Sequence, residues 1–100
     1  MKVGFSKRAS GDVERIDARW KGERPAAPQL FLDELKRALE LVRDAPRMGV
    51  GYTTSRGRLV RRVLLERTQY HLYYEVIDDE ELKVLALWGT QRGRGPRFGG

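Results

Sequence analysis

The chain has 100 residues, 40% of them apolar and 34% charged, which suits one domain with a modest core and not two independent ones. Twenty Lys and Arg against fourteen Asp and Glu leave a net charge of +6, most of it arginine, and favour an anionic partner, either nucleic acid or an acidic protein. With no cysteine, disulfides, thiolate chemistry and thiolate-bound zinc are excluded, and a lone histidine argues against a histidine-built metal site, so neither metal nor cofactor is expected.

MKVGFSKRAS has a charged start without the apolar stretch of a secretory signal, and nothing approaches the ~20 apolar residues of a membrane span. A soluble cytoplasmic protein with no membrane partner is the expectation. MKVGF reads as a short first strand, with Val3 and Phe5 on one face. Ser6 suits the N-cap of a helix whose apolar stripe is Ala9, Val13, Ile16 and Trp20, ended by Gly22 and Pro25. Pro28 opens a second helix, QLFLDELKRALELVRDA, with Phe31, Leu35, Ala38 and Val42 inward, Leu32 and Leu39 widening the stripe, and Pro46 stopping it.

RMGVGYTTSRG reads as an exposed loop hinged at Gly49, Gly51 and Gly57. Three strands follow, RLVRRVLLERT, HLYYEVID and ELKVLALWG, the last two joined by a turn at residues 78–80 and forming an antiparallel meander. Helices followed by strands in the order β-α-α-β-β-β predict an α+β fold, a helical hairpin on one face of a mainly antiparallel sheet. The domain is expected to span residues 1–92, with residues 93–100 as a flexible tail rich in glycine and arginine.

Four groups of residues are candidates for chemistry or binding. Arg56, Arg58, Arg61, Arg62 and Arg67 surround the second expected strand with only Glu66 as a nearby acid; alternation sends Arg61 and Arg67 to one face and Arg62 to the other, and each also suits a solvated, aggregation-resistant edge. Arg92, Arg94 and Arg97 have no compensating acid and suit a phosphate backbone, an acidic protein surface, or plain solubility. Trp88 suits packing at a sheet edge better than a stacking platform. In HLYYEV, Leu72, Tyr74 and Val76 point toward the helices, while His71, Tyr73 and Glu75 lie on the opposite face. His71 titrates in the range useful to a general base, yet no carboxylate is placed by the sequence to orient it.

FLDELKRALELVRDAPRMG and RLVRRVLLERTQYHLYYEVIDDEELKVLALWGTQRG together resemble the RelE/ParE superfamily of bacterial type II toxins. The resemblance rests on a strand opening into a helical pair, a P-x-x-G after the second helix, an arginine-bearing strand, and a Y-x-L-x-Y-x-V strand. An apolar strand ending near Trp88 and Arg92 completes it. It implies a toxin neutralised by an acidic cognate antitoxin. ParE-like members inhibit DNA gyrase by protein contact and touch DNA only through antitoxin or gyrase. RelE-like members cleave mRNA on the ribosome with cationic and aromatic side chains.

The positions favour the ParE branch. Arg62 and Leu64 fall where the RelE-like ribonucleases carry lysines, His71 where they carry an arginine, and Gln91 near their late arginine, with Arg92 adjacent. Their C-terminal tyrosine has no counterpart, Arg97 and Phe98 standing nearby. The expectation is therefore a gyrase inhibitor without a catalytic residue. Its target or antitoxin would meet Arg58, Arg61, Arg67, His71, Tyr73, Trp88, Arg92, Arg94 and Arg97. The alternative is a ribosome-dependent endoribonuclease using Arg62, His71 and Arg92.

Overall fold

The structure, a computed structural model, describes residues 1–98. Its elements are β1 (Lys2–Phe5), α1 (Lys7–Glu23), α2 (Leu30–Asp44), β2 (Val50–Thr53), β3 (Leu59–Leu65), β4 (Tyr70–Val76) and β5 (Glu81–Gly89). They form an α+β fold in which two helices cover one face of a five-stranded sheet ordered β1-β5-β4-β3-β2. The last four strands are antiparallel neighbours, and β1 joins the far edge parallel to β5, Lys2 opposite Glu81 and Phe5 opposite Val84. β2 is one strand more than the sequence reading allowed, cut from the expected loop at residues 47–57. Pro28 lies just ahead of α2, which starts at Leu30 with Gln29 as its cap.

The helical stripes meet the alternating strands in one core. Phe31, Leu35, Ala38 and Val42 from α2 and Ala9 and Ile16 from α1 pack on Leu65, Leu72, Tyr74, Leu82, Val84 and Leu87. Between Tyr73 and Tyr74 the pairing of β4 with β5 slips by one residue, Tyr73 facing Ala86 and Tyr74 facing Val84. The extra residue, Leu85, therefore shares the helix-free face with Ala86, so β5 buries side chains on both faces, as a bulge permits.

Three polar ties fix the connections. β1 ends opposite Val84, and past that point α1 takes over the edge of β5. The Ser6 N–H donates to the Val84 carbonyl at 2.9 Å and the Ser6 hydroxyl to the Leu85 carbonyl at 3.1 Å, while the same hydroxyl caps α1 by accepting from the Ala9 N–H at 3.0 Å. Two residues on, the Leu87 N–H donates to Asp12 Oδ2 at 3.1 Å, and Arg15 holds the other carboxylate oxygen at 2.6 Å. Asp12, 6% exposed, thus sits within the apolar stripe of α1 as a substitute for a missing strand. Glu34 of α2 accepts from the N–H groups of Arg67 and Thr68 and from the Thr68 hydroxyl, pinning the β3–β4 turn.

A further tie explains the P-x-x-G. The Tyr74 hydroxyl, deep in the core, donates to the Pro46 carbonyl at 2.7 Å and accepts from the Gly49 N–H at 3.1 Å. A Cβ on Gly49 would stand 2.7 Å from that hydroxyl and 3.0 Å from the Arg62 carbonyl, so only glycine fits. Tyr74→Phe takes the partner from the buried Gly49 N–H and from the partly buried Pro46 carbonyl and is expected to cost about 1–3 kcal/mol. Thermal unfolding monitored by circular dichroism should show the midpoint falling by roughly 5 °C or more. An unchanged midpoint would mean that the hydroxyl is dispensable.

Candidate functional site

The face of the sheet turned away from the helices collects most of the aromatic and cationic candidates. Register dictates which ones: Arg62 stands opposite Tyr73 and Leu64 opposite His71 across β3 and β4, and His71 stands opposite Trp88 across β4 and β5. Below them lies a small second core of Val60, Tyr73, Leu85 and Ala86, each 6% exposed or less. Tyr73 is its centre, in edge contact with Tyr52 at 6.4 Å and His71 at 6.1 Å between ring centroids.

His71 lies partly buried beside a cation. Loss of solvation lowers its pKa from the usual 6.5, and the Arg62 guanidinium lowers it further. Among the described residues no carboxylate hydrogen-bonds to the ring. The same burial raises the Tyr52 hydroxyl above its ordinary pKa, with neighbouring Tyr73 adding to the rise and Arg62 opposing it.

Trp88 carries two arginines. Arg92 stacks at 4.1 Å from the ring centroid and Arg8, from α1, at 5.8 Å, in the range of cation–π attraction. The indole N–H donates to the Arg94 carbonyl at 2.7 Å. Arg8 donates to the Arg97 carbonyl at 2.6 Å and also lies 5.6 Å from the ring of Phe98, which packs on Tyr73 at 5.5 Å. Arg94 and Arg97 thus meet the body of the protein through their carbonyls. Of the expected tail, residues 99 and 100 fall outside the described residues.

The remaining arginines are dispersed. Arg58 forms a two-pronged ion pair with Glu75 at 2.8 and 2.9 Å. Arg61 is on the helix side, its guanidinium donating to the carbonyls of Arg47 and Gly49 at 3.1 and 3.0 Å. Arg67 is in the β3–β4 turn, not on a strand face with Arg61, because β3 ends at Leu65 and Glu34 captures the turn backbone. Arg62, His71, Tyr73, Trp88 and Arg92 therefore share one face, while Arg58 and Arg61 are engaged in holding the fold.

Sequence reasoning missed three features. Arg8 gives no signal in a helix rich in arginines. Asp12 gives one, a carboxylate inside the Ala9–Val13–Ile16 stripe. The third is an exposed apolar strip of Leu41, Met48, Val50 and Leu64, at 57%, 50%, 67% and 44% exposure, beside the unpaired edge of β2. It borders grooves of about 400 and 260 Å³ between α2 and β3, which also reach Arg37, Arg62 and Arg67. Among the described residues no cluster of His, Asp or Glu could hold a metal ion, and no helix is long and apolar enough to cross a membrane.

The sequence model of the family described as "ParE toxin of type II toxin-antitoxin system, parDE" matches residues 3–93, and the chain belongs to that family. A solved structure titled "Chromosomal ParDE TA system from P. aeruginosa" shares the fold with a TM-score of 0.72 at 16% sequence identity. The alignment covers 91% of this chain and 97% of that one. Among curated protein sequences none matches.

The environment of His71 makes a pH prediction. A folded-state pKa below 6.5 means that protonation opposes folding, so stability is level above about pH 6.5 and declines as the pH falls through the unfolded value toward the folded one. NMR titration of the His71 ring should give a midpoint below 6.5, and Arg62→Ala should raise it without restoring 6.5, since burial remains. A midpoint unmoved by Arg62→Ala would remove the arginine from the site.

Proposed function

We propose that this toxin acts as a ParE-like inhibitor of DNA gyrase through protein contact, and that a cognate acidic antitoxin neutralises it in the cytoplasm. The observation that carries the reading is the state of His71. Its ring is partly buried and, among the described residues, donates no hydrogen bond to a carboxylate; burial first and the Arg62 guanidinium second lower its pKa, so both disfavour the imidazolium that proton transfer would create. The face around it is built from rings and cations that suit binding: Tyr73, Trp88 and Arg92, with Arg94 and Arg97 beside them. The +6 charge suits the acidic surface of an antitoxin.

For the antitoxin, the apolar groove adds residues that the sequence reading did not include. An amphipathic segment seated on Leu41, Met48, Val50 and Leu64 would bring carboxylates to Arg37 and Arg67 at the groove and would cover the unpaired edge of β2. Such a segment, disordered when free, would order on contact. Co-purification with the neighbouring gene product should give a complex that high salt weakens.

A second reading, ribosome-dependent mRNA cleavage, draws support from the placement of Arg62, His71 and Arg92 on or beside one face. His71→Ala separates the two. On the gyrase reading it leaves growth inhibition largely intact. On the ribonuclease reading, loss of a general base removes ~10²–10⁴ of rate and with it toxicity. Purified toxin should inhibit gyrase supercoiling and leave mRNA on translating ribosomes uncut. Cleavage that His71→Ala abolishes while antitoxin affinity is retained would overturn the gyrase reading.

A further inference from the structure

Residues 94–98 run across the helix-free face as a short strap with few anchors. Its carbonyls at Arg94 and Arg97 are held by Trp88 and Arg8, and its one aromatic side chain, Phe98, lies against Tyr73 in the second core with Val60, Leu85 and Ala86. Gly95 passes close enough that an added Cβ would touch the Tyr73 hydroxyl at 3.5 Å. The strap has no regular secondary structure, and it lies beyond the family match, which ends at residue 93. The slot beneath it owes its apolar depth to the bulge that turns both Leu85 and Ala86 to this side.

We propose that this slot is a receptor for an aromatic side chain on an extended protein segment, filled in cis by Phe98 and open to a partner when the strap lifts. Phe98 shows what the slot accepts: a ring on Tyr73, with the carbonyl of the preceding residue received by Arg8. Arg8 and Arg92 on its border favour a segment whose aromatic residue is flanked by carboxylates. Two carbonyl anchors and one ring hold the strap, and glycines at 93 and 95 let it swing. Because the tether keeps Phe98 at high local concentration, a partner binds only in proportion to the fraction of open slots. The proposal does not depend on whether gyrase or the ribosome is the target.

The test uses the full-length chain and a fluorescent peptide of sequence EGPEFGG, the strap with carboxylates in place of its two arginines, as the probe, followed by anisotropy. Phe98→Ala empties the slot in cis and should bind the peptide about tenfold or more tightly than the unaltered chain. Pro96→Gly, which frees the strap without touching the slot, should fall between them. Adding Arg8→Ala to Phe98→Ala should weaken binding again. A peptide with alanine in place of its phenylalanine should not bind. Equal affinity for the unaltered and Phe98→Ala chains, or no binding to a Phe98→Ala chain whose melting curve shows it folded, overturns the proposal. Binding that survives loss of the peptide's ring overturns it too. If Phe98→Ala does not fold, Pro96→Gly decides: affinity equal to that of the unaltered chain counts against the slot.

Discussion

The edge of β5 beyond Val84 sets the terms for the rest of the fold. β1 is only four residues long, so β5 would present unpaired backbone groups to the underside of α1. The Leu87 end of that seam is buried and the Ser6 end partly so, and a group left unpaired in a buried place carries a desolvation cost. Ser6 and Asp12 answer it from successive turns of one helix, at the Leu85 carbonyl and the Leu87 N–H. With its start tied to the strand in this way, α1 brings Arg8 out beside Trp88. The aromatic face is thus positioned by a polar repair on the other side of the sheet.

The bulge at Leu85 is the second controlling feature. Without it β5 would alternate strictly, and its second face would have one buried residue fewer. With it, Leu85 and Ala86 join Val60 and Tyr73, and the helix-free face has a packed floor beneath its arginines. Burial on this face, with the Arg62 guanidinium as the smaller cause, lowers the pKa of His71.

How much of this was legible depends on whether a residue has a buried periodic neighbour. The inward stripe of α2 and the alternation of Leu72, Tyr74 and Val76 stood out because each repeats at a period that only one element supplies. β2 did not, because all four of its residues are exposed and its glycines look like hinges; pairing with β3 makes it a strand. The parallel partner of β1 was undecidable from pattern, as pairing across the whole chain leaves no local mark. On the candidate face, the outward turn of His71 and Tyr73 followed from alternation. The capture of Arg61 by two loop carbonyls and the placement of Arg67 in a turn did not, since they rest on tertiary partners. The P-x-x-G was visible as a motif, while its cause, the Tyr74 hydroxyl, lies 25 residues from Gly49.

The pairing of β1 with β5 also orders events in time. The Lys2 N–H bonds to the Glu80 carbonyl, so the first strand made on the ribosome finds its partner only when the last one emerges. Until then β1 and the start of α1 have no sheet to join, and Asp12 has no Leu87 to receive. Contacts of such sequence separation close late and slow folding. The aromatic face is therefore completed only when β5, the last strand of the sheet to be made, is placed between β1 and β4.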